Sequence, residues 1–160
     1  MVKNNKNLLI KLILLISIIA LISAFFIEYI LGHQPCNLCI LERIPYFLAI
    51  IVILLNYKFI EFEKFFILFL TIIFLFGTVL SLYHLGIEQG LIQESLVCDL
   101  KSGSNLLSKE EILKQLQEKS VSCKDVTFKI FGLSLTSYNI LISLLITFSA
   151  GKIYFNYDKN

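Results

Sequence analysis

Charged residues are scarce in this sequence. Asp, Glu, Lys and Arg make up 16% of its 160 residues, whereas apolar residues make up 57%. In a soluble globular domain about a quarter of the residues are charged and about half are apolar. The shortage of charge therefore excludes an ordinary soluble domain and indicates a membrane protein.

Two kinds of cofactor motif are also missing. No cysteine pair is followed by the histidine of the haem-attachment pattern C-x-x-C-H, and no glycine-rich nucleotide-binding motif occurs. The sequence thus offers no motif for an attached haem or a bound nucleotide. Any redox chemistry of this chain needs an electron acceptor from outside it.

The apolar residues form four blocks, each long enough to cross a bilayer. A membrane-spanning helix needs about 20 consecutive, mostly apolar residues. The blocks occupy residues 8–31, 40–57, 65–84 and 130–154. The first is longer than the apolar core of a secretory signal peptide, so we expect it to be retained as a helix. The sequence predicts an all-α membrane protein, a single four-helix transmembrane bundle over residues 1–160.

The basic residues favour an orientation with both termini in the cytoplasm. Seven of them fall in the two termini and in the short segment between the second and third blocks. The other seven lie on the opposite side, mostly along residues 85–129, where acidic residues offset them. Short segments near helix ends weigh most in the positive-inside rule. Residues 32–39 and 85–129 are therefore expected to be periplasmic loops of a protein in the bacterial inner membrane.

All four cysteines fall in these two loops. Cys36 and Cys39 form a C-x-x-C pair, and Cys98 and Cys123 follow in the long loop. The periplasm is oxidising, so disulfides persist there. A C-x-x-C ring closes too little chain to stabilise a fold much, and such pairs are commonly redox-active. Structural disulfides remain an alternative.

A zinc site is the other alternative for the cysteines. Structural zinc usually uses paired short spacings. Cys98 and Cys123 are far apart in the chain and have no C-x-x-C or H-x-x-H partner. No metal site is therefore expected.

Three residues near the C-x-x-C pair complete the candidate site. Pro35 and the start of the second block place Cys39 near a helix N-terminus, where backbone N–H groups favour a thiolate. Arg43 follows one turn later on the same helical face. A charge this close to the bilayer is usually functional, although an interfacial anchor or a partner of Glu42 is the alternative. His84 ends the third block at the same depth, either near the site or as a plain anchor.

The long loop contains a second helical signal. Ser108 and Glu111 form a capping box, and the apolar residues that follow share one face. This pattern predicts a short amphipathic helix on the membrane surface, with a disordered linker as the alternative. Cys98 is expected in an exposed, flexible segment before this helix. Cys123 comes just after it, where movement of the loop would carry it toward the second block.

These features together resemble the disulfide bond formation protein B (DsbB) family. The resemblance covers nearly the whole chain. The family's C-x-L-C-x-x-x-R motif matches at Cys36, Leu38, Cys39 and Arg43. "YHLGIEQG" at residues 83–90 and "FKIFGLSL" at residues 128–135 are also similar to family segments.

The resemblance implies a membrane thiol:quinone oxidoreductase and a role for each cysteine. A reduced periplasmic thiol oxidase of the DsbA type would attack the Cys98–Cys123 disulfide, with Cys98 forming the mixed disulfide. Cys123 would then exchange with Cys36 and free Cys39 beside a membrane quinone.

The same resemblance implies the cofactor and the partners. Ubiquinone or menaquinone would take the electrons, contacted by Arg43 and His84. The expected partners are the thiol oxidase, the quinone and the lipid bilayer, and no nucleic acid.

Two other classes are distinguishable from this one. The vitamin K epoxide reductase family shares the four-helix, four-cysteine design, but there the C-x-x-C pair comes late in the chain, whereas here it comes early. A non-catalytic multi-pass membrane assembly factor would use the same cysteines as structural loop disulfides. Structural bridges would resist reductant and quinone, and a catalytic pair would react with both.

Overall fold

The computed structural model describes residues 2–93, 98, 122–124 and 128–157. In chain order the elements are α1 (Val2–Tyr29), α2 (Asn37–Leu41), α3 (Ile44–Lys58), a 3₁₀ turn (Ile60–Phe62), α4 (Glu63–Glu88), β1 (Lys129–Ile130), β2 (Leu133–Ser134) and α5 (Leu135–Phe155). With α2 and α3 counted as one span, the described ranges contain four spans long and apolar enough to cross a membrane. The prediction of an all-α membrane bundle is confirmed. The amphipathic helix predicted at residues 108–119 lies outside the described residues.

The second apolar block is not one continuous helix, as the sequence predicts, but two. Pro45 stands in the first turn of α3 and has no N–H to donate to the preceding turn. The chain therefore ends α2 with the N–H of Glu42 donating to the carbonyl of Leu38 at 2.9 Å, and that of Arg43 to Ile40 at 3.1 Å. Residues 42–43 form a turn between the two helices.

The fourth block also begins later than predicted, because a β-hairpin occupies its first residues. Phe131 has φ of 49° and Gly132 has φ of 82°. Two central residues with positive φ make the tight turn that joins neighbouring strands, and Lys129 pairs with Ser134 across it. Ser134 then caps α5 by accepting a hydrogen bond from the N–H of Ser137 at 3.3 Å. The third block, predicted to end at residue 84, continues as α4 to Glu88.

The helices pack around α4, which lies against α5 and α3, while α1 packs against α3. Gly77 of α4 faces Pro45, and a Cβ at this glycine would come within 3.1 Å of the proline ring. The missing side chain thus lets α4 approach the start of α3 closely. Inside, Ala49, Ile53 and Phe74 are fully buried. Large apolar side chains cover the outside, as expected of a surface that faces lipid.

The two ends of the bundle differ in chemistry. At one end, the Lys6 ammonium lies 2.6 Å from the Glu63 carboxylate, and the Tyr157 hydroxyl donates to the same carboxylate at 3.0 Å. These contacts join α1 and the residues just after α5 to the start of α4. The four cysteines lie at the opposite end.

Candidate redox site

The structure brings the two cysteine pairs into one apolar cluster. We call this the cysteine cluster; its buried members are Cys36, Leu38, Ile87, Cys98 and Cys123. Cys39 packs against its edge. The sequence predicts that all four cysteines share one end of the protein, and the geometry agrees.

The long-loop cysteines are bonded to each other. Cys98 and Cys123 form a disulfide with their Cα atoms 5.9 Å apart. The expectation that Cys98 is exposed is wrong, because only 7% of it is accessible to solvent and only 2% of Cys123. The apolar disulfide packs against α2 and α4. The Asn37 amide also donates to the carbonyl oxygen of Cys98 at 3.2 Å, which ties the two loops together.

Cys36 and Cys39 are free thiols with different surroundings. Cys36 precedes α2 as its N-cap residue, and its sulfur accepts a hydrogen bond from the backbone N–H of Cys39 at 3.2 Å. The His84 ring lies on the other side, with Nε2 3.5 Å from the Cys36 sulfur. Cys39 lies within the first turn of the helix, so its sulfur does not cap it.

These contacts place the thiolate on Cys36. Hydrogen bonding from the Cys39 thiol, together with the hydrogen bond and electrostatic effect of His84, lowers the pKa of Cys36 to about 5, against the opposing effect of burial. The sequence predicts the thiolate on Cys39. The position of the N-cap residue corrects this, because the capping sulfur is the one that receives the helix N–H groups.

A buried polar network continues from His84 into the bundle. The Nδ1–H of His84 donates to Glu42 at 2.8 Å, and the Asn139 amide donates to the other oxygen of Glu42 at 3.0 Å. The Thr136 hydroxyl donates to Glu88 at 2.6 Å and lies 3.2 Å from the His84 ring. These hydrogen bonds pair the buried polar groups with one another, as burial requires.

The sequence points to His84 but misses the rest of this network. Only Glu42 carries a signal, since a carboxylate in a membrane span usually has a partner. Thr136 and Asn139 look like ordinary helix residues until α5 is seen against α4.

A cavity of about 330 Å³ opens beside the cysteine pair, between α1, the α2–α3 turn and α5. Apolar side chains from α1 and α5 form most of its wall. The polar residues that line it are His33, Gln34, Cys39, Glu42, Arg43, Tyr46, Thr136, Tyr138, Asn139 and Ser23. Cys39 and Arg43 face this same space, as the sequence predicts, although a turn separates their helices.

Arg43 is held by a residue of α1. Its guanidinium donates to the Glu28 carboxylate at 2.5 Å, and the two side chains are 18% and 23% exposed. The guanidinium carbon also lies 5.2 Å from the centre of the Phe25 ring, in cation–π range. The alternative partner, Glu42, is instead bound to His84 and Asn139.

His84, for which the sequence predicts contact with a quinone, lies beside the cysteine pair. The ring is 1% exposed and lies behind the cysteine pair. It does not line the cavity. Its direct contact is with the Cys36 sulfur.

A membrane bundle whose end carries a free C-x-x-C pair packed against a loop disulfide belongs to the class of membrane thiol–disulfide proteins. The comparisons with known proteins narrow this class. Residues 6–152 match the family model described as "Disulfide bond formation protein DsbB", and the chain belongs to this family. It is therefore a membrane oxidoreductase of disulfide formation.

One curated relative is similar over nearly the full length. It is "Uncharacterized protein RP370" of Rickettsia prowazekii (strain Madrid E), 33% identical over 165 aligned residues, which cover 99% of this chain and 94% of the relative. The likeness extends through all four spans and both loops.

Proposed function

We propose that this chain is a quinone-dependent thiol oxidoreductase. It reoxidises a periplasmic thiol oxidase of the DsbA type and passes the electrons to ubiquinone or menaquinone in the membrane. One observation carries the proposal: the two sulfurs of the C-x-x-C pair face different partners. Cys36 is packed with the Cys98–Cys123 disulfide, and Cys39 lines a mostly apolar cavity walled by α1 and α5.

The cavity has the size and lining that a quinone head group needs. Ligand pockets are commonly about 300–1,000 Å³, mostly apolar, with a few polar groups that orient the ligand. At about 330 Å³, with Arg43, Tyr46 and Asn139 among its polar groups, this cavity fits that description. A quinone, when bound, supplies an acceptor for two electrons and two protons. Arg43 would hold an oxygen of the ring, and the apolar wall of α1 would hold the ring itself.

The cysteines transfer the electrons through balanced thiol–disulfide steps. A thiolate of the reduced partner attacks Cys98, which forms the mixed disulfide and releases Cys123 as a thiolate. Cys123 attacks Cys36, which breaks the Cys36–Cys39 bond and releases Cys39 as a thiolate. The partner's second thiolate then attacks its own mixed disulfide and releases Cys98. Cys98 attacks Cys123, so the loop disulfide re-forms while Cys36 and Cys39 hold the two electrons.

His84 supports this exchange at Cys36. Its Nε2 lies 3.5 Å from the sulfur, and its Nδ1–H is bound to Glu42. The ring therefore stabilises negative charge on Cys36 whenever this sulfur leaves a disulfide. We thus propose His84 as a ligand of the thiolate, where the sequence predicts a ligand of the quinone.

The proposed location is the bacterial inner membrane, with both termini in the cytoplasm and the cysteines in the periplasm. The distribution of lysines favours this orientation. The cluster of Lys6, Glu63 and Tyr157 supports it, since it lies at the opposite end from the cysteines.

The alternative is a non-catalytic assembly factor with structural loop disulfides. One observation favours it: the Cys98–Cys123 bond is buried, as a structural bridge would be. The two functions differ in how the Cys98–Cys123 disulfide reacts with a reduced thiol oxidase. The disulfide of an oxidoreductase should exchange with it, whereas a structural bridge would resist exchange.

The experiment mixes the purified chain with a reduced DsbA-type thiol oxidase and ubiquinone, then with menaquinone. Loss of quinone absorbance and loss of partner thiols are followed together. We expect one quinone to be reduced per partner dithiol. The control is a Cys36→Ser/Cys39→Ser variant with its loop disulfide intact, which should form a mixed disulfide but reduce no quinone. Unchanged partner thiols with the wild-type chain would contradict the proposal.

A further inference from the structure

The reduced cysteine pair and His84 form a cluster of three metal-ligand atoms. The sulfurs of Cys36 and Cys39 and a ring nitrogen of His84 all lie within 4.8 Å of one another. Ligand atoms stand about 2.0–2.3 Å from a tetrahedral Zn²⁺, which puts neighbouring ligand atoms about 3.3–3.8 Å apart. The three atoms here are close enough to reach that arrangement by small side-chain movements. The three donors come from two separate elements, the start of α2 and the end of α4.

The His84 ring is already oriented as metal-binding histidines usually are. Such a ring commonly donates its second N–H to a carboxylate, which fixes the tautomer and turns the other nitrogen to the metal. Here Nδ1–H donates to Glu42 at 2.8 Å, and Nε2 faces the Cys36 sulfur at 3.5 Å. Glu42 is held in turn by the Asn139 amide at 3.0 Å.

The sequence analysis weighs a zinc site only with Cys98 and Cys123 as further ligands and does not include His84. Cys98 and Cys123 are bonded to each other and offer no thiolate. The histidine comes from a helix that is far away in the chain.

We propose that the reduced Cys36–Cys39 pair, together with His84, binds one thiophilic cation such as Zn²⁺. Any proton that a ligand atom still holds is released on binding, and no electron is transferred. Two thiolates and an imidazole select Zn²⁺ and similar soft ions over Mg²⁺ or Ca²⁺. Cys39 lines the cavity, so the cavity is the entry path and a water there can fill the fourth position.

This inference goes beyond the proposed function and stands without it, since binding needs neither quinone nor partner. It has one consequence for redox chemistry. Sulfurs bound to the metal cannot join each other, so the cation keeps the pair reduced. Zn²⁺ should therefore slow reoxidation of Cys36 and Cys39, and a chelator should reverse the effect.

The experiment uses the full chain in detergent, reduced under anaerobic conditions and titrated with Zn²⁺ against a competing chelator. We expect one Zn²⁺ per chain, with protons released on binding. Co²⁺ in place of Zn²⁺ should give the absorption of a thiolate-bound, four-coordinate ion. Oxidising the pair in the wild-type chain should abolish binding without any substitution, which removes folding as an explanation.

Variants identify the ligands. Cys36→Ala and Cys39→Ala should each abolish the Co²⁺–thiolate signal of the one-metal site. Glu42→Gln should weaken binding by about 10- to 100-fold, as loss of an outer-shell partner typically does. Glu63→Gln is the matched control: it changes a carboxylate at the opposite end of the bundle, where it pairs with Lys6, and should leave the affinity unchanged. Binding that survives in Cys36→Ala/Cys39→Ala but is lost in Cys98→Ala/Cys123→Ala would overturn the proposal, as would equal binding by the oxidised chain.

Discussion

Arg43 offers the sharpest test of the proposed quinone site. Its guanidinium lines the cavity together with Cys39, and Glu28 fixes its position at 2.5 Å. A hydrogen bond to a charged group is worth about 1.5–3 kcal/mol. Loss of such a bond to the quinone corresponds to roughly 10- to 150-fold in apparent affinity or rate. We therefore expect Arg43→Ala to raise the quinone KM or lower kcat/KM for quinone by this factor.

The ion pair complicates the single substitution. Arg43→Ala leaves the Glu28 carboxylate without its partner at the membrane boundary, which costs stability whether or not Arg43 contacts quinone. The double variant Glu28→Gln/Arg43→Ala removes both charges and serves as the matched control. It should recover protein level relative to Arg43→Ala yet keep the same quinone defect. Glu28→Gln alone should lower kcat/KM for quinone by about 3- to 10-fold. The ion pair that holds the Arg43 guanidinium in place is then lost, and such a pair contributes about 1 kcal/mol.

The assay is steady-state turnover at varied quinone concentration, with partner exchange at Cys98 measured separately. Lysine keeps the charge of Arg43 but loses the planar, five-donor fork, so Arg43→Lys should be impaired mildly. If Arg43 is only an interfacial anchor, lysine will substitute fully and alanine will lower protein level alone. An unchanged quinone dependence in both Arg43→Ala and the double variant would refute the reasoning.

Three further predictions concern the cysteines. An impermeant thiol reagent, applied to reduced whole cells, should label from the periplasmic side every cysteine that a permeant reagent of similar size labels; a pair that only the permeant reagent reaches would contradict the topology. In Cys123→Ser the Cys98 thiolate should attack the disulfide of the oxidised partner, release one partner thiolate and leave a long-lived mixed disulfide, seen on a non-reducing gel; trapping only through Cys36 would contradict the proposed electron flow. Because its pKa is lowered, Cys36 in the folded chain should stay a thiolate until the pH falls to about 5. An unperturbed cysteine thiol is already half protonated near pH 9.0. Alkylation of the Cys36 peptide, followed by mass spectrometry across this range in folded and denatured chains, should show the two midpoints; identical midpoints would contradict the contacts of Cys36 with Cys39 and His84.

The fold is largely predictable because its main determinant is local. Runs of apolar residues report membrane spans directly, and the four blocks match the four spans. The errors occur where a single residue outweighs composition. Pro45 divides the second block into two helices. The turn at Phe131 and Gly132 forms a β-hairpin from apolar residues that the sequence assigns to the fourth helix. Hydropathy counts do not contain either effect.

The site is predictable only in part. The spacing of Cys36, Cys39 and Arg43 is local, so the sequence finds these residues and the cavity includes two of them. The partners of Arg43 and His84 are long-range: Glu28 comes from α1, and Glu42 reaches α4 across the bundle. Such pairings depend on how helices pack, which periodicity in one segment does not specify.

The break between α2 and α3 connects a simple sequence feature to the proposed chemistry. In a continuous helix, Glu42 and Arg43 would point about 100° apart around a single axis. With the turn, both residues line the cavity: Glu42 also binds His84, and Arg43 pairs with Glu28. The carboxylate thus connects the cavity to the His84–Cys36 contact, and the guanidinium remains available to a ligand in the cavity. Since Pro45 causes the break and Gly77 makes room for its ring, this arrangement depends on the contact between them.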